Sequence, residues 1–397
     1  MSASDAPHLG DLLDAVGLDR SRVAEIFDDL RGRMQIEVDA VLDEAAAGTA
    51  WPTVEFADIE AGTVDESLFE RVRRRGCLVV RSNFERPLAE AWDAAVAEYL
   101  ATNEFERRFA ERYPDAENRR IWGVYWSPAQ VAARQHPAMA TTRAFLNSFW
   151  RHESVGERWL DPTRDIGYPD RLRRRAPGVE SAGLPPHSDA VSSGGWRLAE
   201  NRDVFRHVLA GDLDRFDPWD AAYRTTPDPE SAAPSSVFRT FQGWTALSEM
   251  HPHDGVLHVI PVPSAAAYML MRGIAGELGL LGGEPEPAPR RFRADDVLMP
   301  AMVPIPPVRP GDTVWWHGDL IHSVAPAAND TRWGNVMYIA AAPSCPRNDA
   351  YAATILERFV AGRSPVDFPD EDFEVDFVGR PDISDLGAIG RAQVGLA

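Results

Sequence analysis

Arg309-Pro310-Gly311-Asp312-Thr313-Val314-Trp315-Trp316-His317 reads as a tight turn running into a short aromatic strand. Pro-Gly-Asp supplies the turn, and β-branched and aromatic residues follow it at once. The same grammar recurs on both sides. Ser236 to Leu247 alternates and is rich in Val, Phe, Thr and Trp. Val256 to Val262, Val297 to Val308 and Asn335 to Ala341 are further strand candidates, with Arg120 to Trp126 and Pro185 to Ser188 upstream. Many strands punctuated by proline turns, with few strict βα alternations, predict an α+β chain with a mainly β core, an antiparallel sandwich or jelly roll with helices packed around it.

The helices lie mostly outside this core. Arg20 to Glu44 carries Val23, Ile26, Phe27, Leu30, Met34, Ile36, Val38, Val41 and Leu42 at helical spacing, with Ser21 as a candidate cap. Ser67 to Arg75 and Pro87 to Thr102 flank a strand at Gly76 to Arg81. Asn201 to Arg224 and Ala265 to Leu281 read as helical insertions. The expected organisation is an N-terminal helical extension over 1–66, a core over 67–345 with insertions near 201–224 and 265–293, and a C-terminal helix and acidic tail over 346–397. These are parts of one structural domain, with the acidic stretch Val366 to Asp385 expected to drape over the surface.

Composition removes several function classes. The 397 residues carry a net charge of −20, which opposes binding to nucleic acid and to anionic membranes. All 41 basic residues are arginine. Without lysine there is neither a Schiff-base mechanism nor a Walker P-loop. The 2 cysteines, Cys77 and Cys345, lie far apart, which excludes a disulfide framework and a thiolate zinc site and fits a reducing cytoplasm. No Gly-x-Ser-x-Gly elbow and no glycine-rich dinucleotide fingerprint occur. The N-terminus lacks a signal-peptide pattern, and no 18-residue apolar run exists, so a cytoplasmic location is expected. The arginine runs 73–75 and 171–175 read as solvated faces in so acidic a chain.

The chemistry concentrates in Leu184-Pro185-Pro186-His187-Ser188-Asp189. Residues i and i+2 of an extended segment share a face, so His187 and Asp189 can reach one cation. His322 follows the strand at Thr313 to His317. Two histidines and a carboxylate compose the facial set that holds non-haem iron and leaves positions open. Arg332, ten residues beyond His322 (332 − 322), can clamp a carboxylate bidentately. His317 is a rival to His322, and His251, His253, Asp254 and His258 form a second histidine cluster in a turn-like segment.

Around these residues the chain resembles the iron(II)/2-oxoglutarate-dependent dioxygenases, and within them the YbiU-like DUF1479 family. The resemblance spans about Trp126 to Phe368. It rests on Tyr125-Trp126-Ser127, Ala133-Arg134-Gln135-His136-Pro137, Pro185-Pro186-His187-Ser188-Asp189, Asp217-Pro218-Trp219-Asp220-Ala221, Phe238-Arg239-Thr240-Phe241-Gln242-Gly243-Trp244, Pro310-Gly311-Asp312-Thr313-Val314-Trp315-Trp316-His317 and Asn335-Val336-Met337-Tyr338-Ile339. It implies a double-stranded β-helix, iron(II) on His187, Asp189 and His322, 2-oxoglutarate anchored by Arg332, and dioxygen as oxidant. The implied outcome is hydroxylation, demethylation or desaturation of a small molecule with release of succinate and carbon dioxide. Halogenation is disfavoured, because the superfamily's halogenases lack the carboxylate that Asp189 supplies. The 133 residues between Asp189 and His322 (322 − 189) exceed the superfamily's usual gap and require the two insertions.

Arg134, Arg239, Gln242, Trp244 and Trp126 are candidate substrate contacts, with Tyr125 and Gln130 beside them. Arg134 and Arg239 point to an anionic or carboxylate-bearing molecule, and both are reserves for the Arg332 role. Two other readings stay open: a cupin-like isomerase or lyase that uses the metal without 2-oxoglutarate, and a non-catalytic binding barrel.

Overall fold

The computed structural model describes residues 10, 13–14, 16–114, 121–189, 199–225, 237–282, 296–327 and 331–396. Its strands are Thr53–Glu55 (β1), Cys77–Arg81 (β2), Ile121–Trp122 (β3), Glu153–Ser154 (β4), Glu157–Arg158 (β5), Asp161–Asp165 (β6), Leu172–Arg173 (β7), Leu184–His187 (β8), Phe241–Ala246 (β9), Leu257–Ile260 (β10), Val303–Pro304 (β11), Thr313–His317 (β12), Ile321–Val324 (β13), Val336–Ala341 (β14) and Pro343–Ser344 (β15). A seven-stranded sheet runs β1-β2-β12-β9-β14-β7-β3, and a four-stranded sheet runs β11-β10-β13-β8. The larger sheet is mixed, because β1 joins β2 in parallel and every other pair is antiparallel. The class is therefore α+β. Between β7 and β14 the chain passes back and forth between sheets: β7, β9, β12 and β14 lie in the larger one, β8, β10, β11 and β13 in the smaller, where β10 and β11 are consecutive.

Side-chain alternation divides the larger sheet into two faces. Cys77, Val79, Trp244, Val314, Trp316 and Val336 belong to the core that also holds β10 and β13. Leu78, Val80, Phe241, Trp315, Met337 and Ile339 point the other way and are covered by the helices Glu66–Arg75, Arg86–Thr102 and Pro137–Asn147. A sheet buried on both faces reads as continuous apolar runs. Gly243 sits at its centre for a steric reason, since a Cβ there would lie 2.6 Å from the Trp315 ring and 2.6 Å from the Val314 carbonyl.

The helix Arg20–Ala46 starts from Asp19, whose carboxylate accepts the Arg22 N–H, so Ser21 is not the cap. Its apolar stripe packs on the buried helix Ala265–Glu277, where Phe27 stacks on Tyr268 with centroids 5.4 Å apart. That second helix accounts for one expected insertion in part, residues 283–293 lying outside the described residues. Helices Ala199–Val204 and Arg206–Leu209 fall in the other. β1 lies inside the predicted N-terminal extension yet pairs with the main sheet. Of two predicted strands little remains: Ile121–Trp122 from 120–126, and Val303–Pro304 from 297–308. β13 and the helices Pro128–Arg134 and Pro137–Asn147 had no counterpart in the sequence reading. Among the described residues no helix is long and apolar enough to cross a membrane.

Two sequence expectations about charge hold only in part: Arg73 and Arg74 are exposed, as are Asp370, Asp372 and Asp376, but other residues of the same stretches are not. Arg75 is 2% exposed and forks onto Glu44, with Glu37 on its other side. Arg173, Arg174 and Arg175 are also buried. The segment 366–385 was expected to drape the surface, but it is stitched into the core. Phe368 packs on Tyr125 and Tyr168. Glu374 accepts the backbone N–H groups of Tyr125 and Trp126 and the Tyr99 hydroxyl.

Burial pushes the Glu374 carboxyl up to about 7, against those donors and the Arg134 charge, which pull it down. The folded chain thus holds a proton that the unfolded carboxyl releases near 4.5. This contribution to stability is complete below that value and is lost as pH rises to about 7. Glu374→Gln should cost about 1–3 kcal/mol, because its amide faces N–H donors. Urea midpoints should show the wild-type advantage shrinking from pH 4.5 to 7 and then levelling off. An advantage constant with pH would place the carboxyl at its ordinary value.

Candidate metal centre

β8 and β13 pair antiparallel with His187 directly opposite His322. Cross-strand partners project to the same face, so backbone pairing alone brings the two imidazoles together, with ring centroids 4.2 Å apart. Gly183 opens β8 with φ +73°, and a Cβ there would meet the Val324 carbonyl at 2.2 Å, so only glycine lets the strand approach its partner. Asp189 closes the set. Its two carboxylate oxygens lie 3.7 Å from His187 Nε2 and 3.8 Å from His322 Nε2. All three ligand atoms fall within 4.8 Å of one another, the one such group among the described residues.

Both imidazoles are pre-set as ligands. His187 Nδ1 lies 2.8 Å from the Pro185 carbonyl and His322 Nδ1 lies 3.1 Å from the Leu320 carbonyl. A carbonyl only accepts, so each Nδ1 carries the proton and each Nε2 presents a lone pair to the centre. Burial pushes His322 down to about 4, against the pull of Asp189, so it is neutral at pH 7. Burial also works to raise Asp189, but His322, Arg239 and His187 together with the Gln242 amide hold it below the usual carboxylate range. Two neutral imidazoles and an anionic carboxylate fit a divalent cation that tolerates nitrogen and oxygen donors.

The loop between β12 and β13 is braced from below. Asp319 is 1% exposed and takes both ends of the Arg224 guanidinium, at 3.0 and 2.8 Å. His317, the rival ligand, is committed elsewhere. Its Nε2 donates to the Pro218 carbonyl, its Nδ1 accepts from the Asp319 N–H, and it stacks on Trp150. In the second cluster, the Asp254 carboxylate accepts the His251 backbone N–H within a turn.

The triad opens into a cavity of about 170 Å³ between the two sheets. Arg239, Gln242 and Trp244 line it, as the sequence predicted, along with Trp316, Leu257 and Tyr338. Arg171 and Arg173 line it too, and these were misread as part of a solvated run. Their alternate spacing on a strand was the available signal. Tyr338 lines the cavity with them and donates its backbone N–H to the Arg171 carbonyl at 3.1 Å. Burial raises its phenol, against the pull of Arg173 and Arg171. A larger opening of about 880 Å³ beside Phe27 and Tyr268 contains no such ligand set among the described residues.

Five predicted contacts are not brought to the cavity. Tyr125 donates its hydroxyl to Glu371, and Gln130 bonds Ser127 and the Val124 carbonyl. Arg332 is about half exposed and faces Asp254 at 3.5 Å. Arg134 is buried behind the sheet, donating to the Tyr125 carbonyl with its charge over Trp126. Trp126 itself donates to the Arg363 carbonyl. Arg332 was placed by its nearness to His322 in the chain, and the others by the segments that carry the resemblance; each bonds to local structure instead.

Cobalt(II) gives a direct reading of the centre. Wild type should bind one equivalent with visible d–d bands, and His187→Ala or His322→Ala should weaken binding at least about 10-fold. Unchanged titrations in both variants would remove the metal assignment. Asp319→Ala, which strands a buried guanidinium, should cost about 3–5 kcal/mol in urea unfolding.

Comparison with known proteins agrees in extent with this architecture. The Gig2-like family profile matches residues 14–396. The chain is 40% identical over 390 residues to protein YbiU of Escherichia coli (strain K12), covering 94% of this chain and 92% of that one. A crystal structure from Salmonella typhimurium LT2, described provisionally as an oxidoreductase, is 39% identical. It superposes with a TM-score of 0.88 over 98% of this chain and 96% of that one. The Candida albicans GIG2 (DUF1479) structure shares the fold at 23% identity, with a TM-score of 0.79 over 98% of this chain and 89% of that one. From helix Arg20–Ala46 to the C-terminal segment, the chain belongs to the Gig2-like (DUF1479) family.

Proposed function

We propose that this chain is an iron(II)- and 2-oxoglutarate-dependent oxygenase built on a double-stranded β-helix, acting on a small molecule. The observation that carries the reading is one cavity containing both a pre-set His-Asp-His triad and a cluster of Arg171, Arg173 and Tyr338. The passage of β7 to β14 back and forth between two antiparallel-paired sets supports the β-helix. In that arrangement β1, β2 and β3 extend the larger sheet.

Each residue then has a task. His187, His322 and Asp189 hold the metal from one side and leave its other positions facing the cavity. Tyr338 lies opposite Trp244, two residues along from Gln242, whose amide contacts Asp189. Two strand residues span about 7 Å, a distance suited to a short dicarboxylate held by the metal at one end. Arg173 and Arg171, with the Tyr338 hydroxyl, take the distal carboxylate in place of Arg332. When bound, iron(II) and 2-oxoglutarate supply the oxidation, in which dioxygen and the keto acid are consumed, succinate and carbon dioxide leave, and a substrate C–H bond is oxidised. Trp244, Leu257 and Val256 give the cavity an apolar wall that keeps water from the reacting groups. Asp189 as a third ligand favours hydroxylation, desaturation or demethylation over halogenation.

The test is made without oxygen. Iron(II) and then 2-oxoglutarate are added to the apo-protein, and the visible spectrum is recorded. A charge-transfer band that requires both additions is expected. Arg173→Gln should weaken 2-oxoglutarate binding roughly ten- to a hundred-fold, whereas Arg332→Ala should leave it unchanged. Iron binding without the band would rule out the keto acid and favour an isomerase or lyase that uses the metal as a Lewis acid.

A further inference from the structure

Arg239 is the charged group of the cavity that the oxygenase reading leaves unemployed. It precedes β9 and lines the same cavity as the triad. Its guanidinium sits over the Tyr168 ring at 5.4 Å, which fixes its direction. Among the described residues it has neither a hydrogen bond nor an ion pair. The anions around it are committed elsewhere. Asp170 accepts the Arg171 N–H groups, Asp367 accepts the Tyr168 hydroxyl, and Asp189 belongs to the metal set. In a chain of 61 acidic residues against 41 basic ones, a guanidinium without a partner inside a cavity is kept for a ligand rather than for the fold.

Charge balance identifies the ligand's class. The cavity lining contains three guanidiniums, of Arg171, Arg173 and Arg239, and two carboxylates, of Asp170 and Asp189. The histidines are set as neutral ligands. A divalent metal adds two positive charges and a 2-oxoglutarate dianion removes two. The cavity therefore keeps one positive charge, and Arg239 lines it together with His187, Asp189 and His322.

Resting on the oxygenase reading, we infer that the substrate to be oxidised is a monoanion, a carboxylate or its equivalent, gripped by Arg239 beside the metal. Arg239 is then the residue that selects the substrate, and Arg171 and Arg173 serve the co-substrate. The grip also sets which carbon is presented, because the anionic group is fixed and the remaining chain extends over the triad.

Matched probes test this without turnover. Zinc(II)-loaded protein saturated with 2-oxoglutarate is titrated with butyrate and phenylacetate and with their primary amides, and binding is followed by calorimetry and thermal shift. The carboxylates should bind roughly ten- to a hundred-fold tighter than the amides. Arg239→Gln should abolish the preference while zinc and 2-oxoglutarate still bind as in wild type. Equal binding of acid and amide to wild type would overturn the inference, as would loss of 2-oxoglutarate in Arg239→Gln, which would make Arg239 the co-substrate's holder. Failure of wild type to bind zinc or 2-oxoglutarate at all is a different result. It would remove the oxygenase reading and the charge balance with it.

Discussion

The antiparallel pairing of β8 with β13 sets the position of everything chemical in this molecule. It makes His187 and His322 direct partners, and the two side chains meet because the backbones do. Hydrogen bonds from each Nδ1 to a carbonyl two residues upstream then turn both Nε2 atoms inward. These local bonds need only the strands' own backbone. A slip of one residue in this register would send His322 to the opposite face of the sheet. The fold guards against such a slip from both ends. Gly183 allows the close approach at the start of β8, and the buried Asp319–Arg224 pair pins the turn that leads into β13.

The larger sheet plays the complementary part of a stiff wall. Its apolar residues alternate between two cores, and the close contact of Gly243 with Trp315 leaves β9 no freedom to shift. Fully burying one large apolar side chain contributes about 1.5–3 kcal/mol, and this sheet buries many on each face. That surplus allows three arginines to line the cavity it backs. Partly desolvated guanidiniums weaken a fold unless something anionic answers them. Arg171 is answered by Asp170, and Arg173 donates to the Gly255 carbonyl. Arg239, stacked on Tyr168, is left as the guanidinium of that wall without an ion pair among the described residues.

How much of this was legible in the sequence depends on the range of the interaction involved. The same-face geometry of His187 and Asp189 follows from two-residue periodicity, so it could be read directly. β9, β12 and β14 announced themselves by alternation and turn residues. β13 did not, because Ile321–Val324 is four residues long and holds a histidine and a serine. Its strand character comes from β10 and β8 on either side. The run 171–175 misled for a related reason. Charge density alone suggests solvent, yet Arg173 is placed inside by its pairing with Val336 and Ile121, residues far away in sequence. Arg332 failed in the opposite sense, because nearness to His322 in the chain did not become nearness in space. Tyr338, on the following strand, had been read only as one word of the family pattern.

The C-terminal segment shows how the cavity wall is kept in place by a part of the chain with no ligand of its own. Phe368 lies under the Arg171 guanidinium at 4.6 Å and against Tyr168, whose other neighbour is Arg239. Asp367 holds the Tyr168 hydroxyl. A few residues on, Glu371 receives the hydroxyls of Tyr113 and Tyr125, and Glu374 caps the backbone of Tyr125 and Trp126. Two arginines of the cavity thus rest on aromatic rings that the tail and its buried carboxylates hold. An acidic tail draped on the surface could not do this. The acidity that suggested solvent supplies, at Glu371 and Glu374, the acceptors that fix the tyrosine hydroxyls and backbone N–H groups behind the wall. The orientation of these cavity arginines is therefore set by residues near 370, although the His-Asp-His set lies entirely between residues 187 and 322.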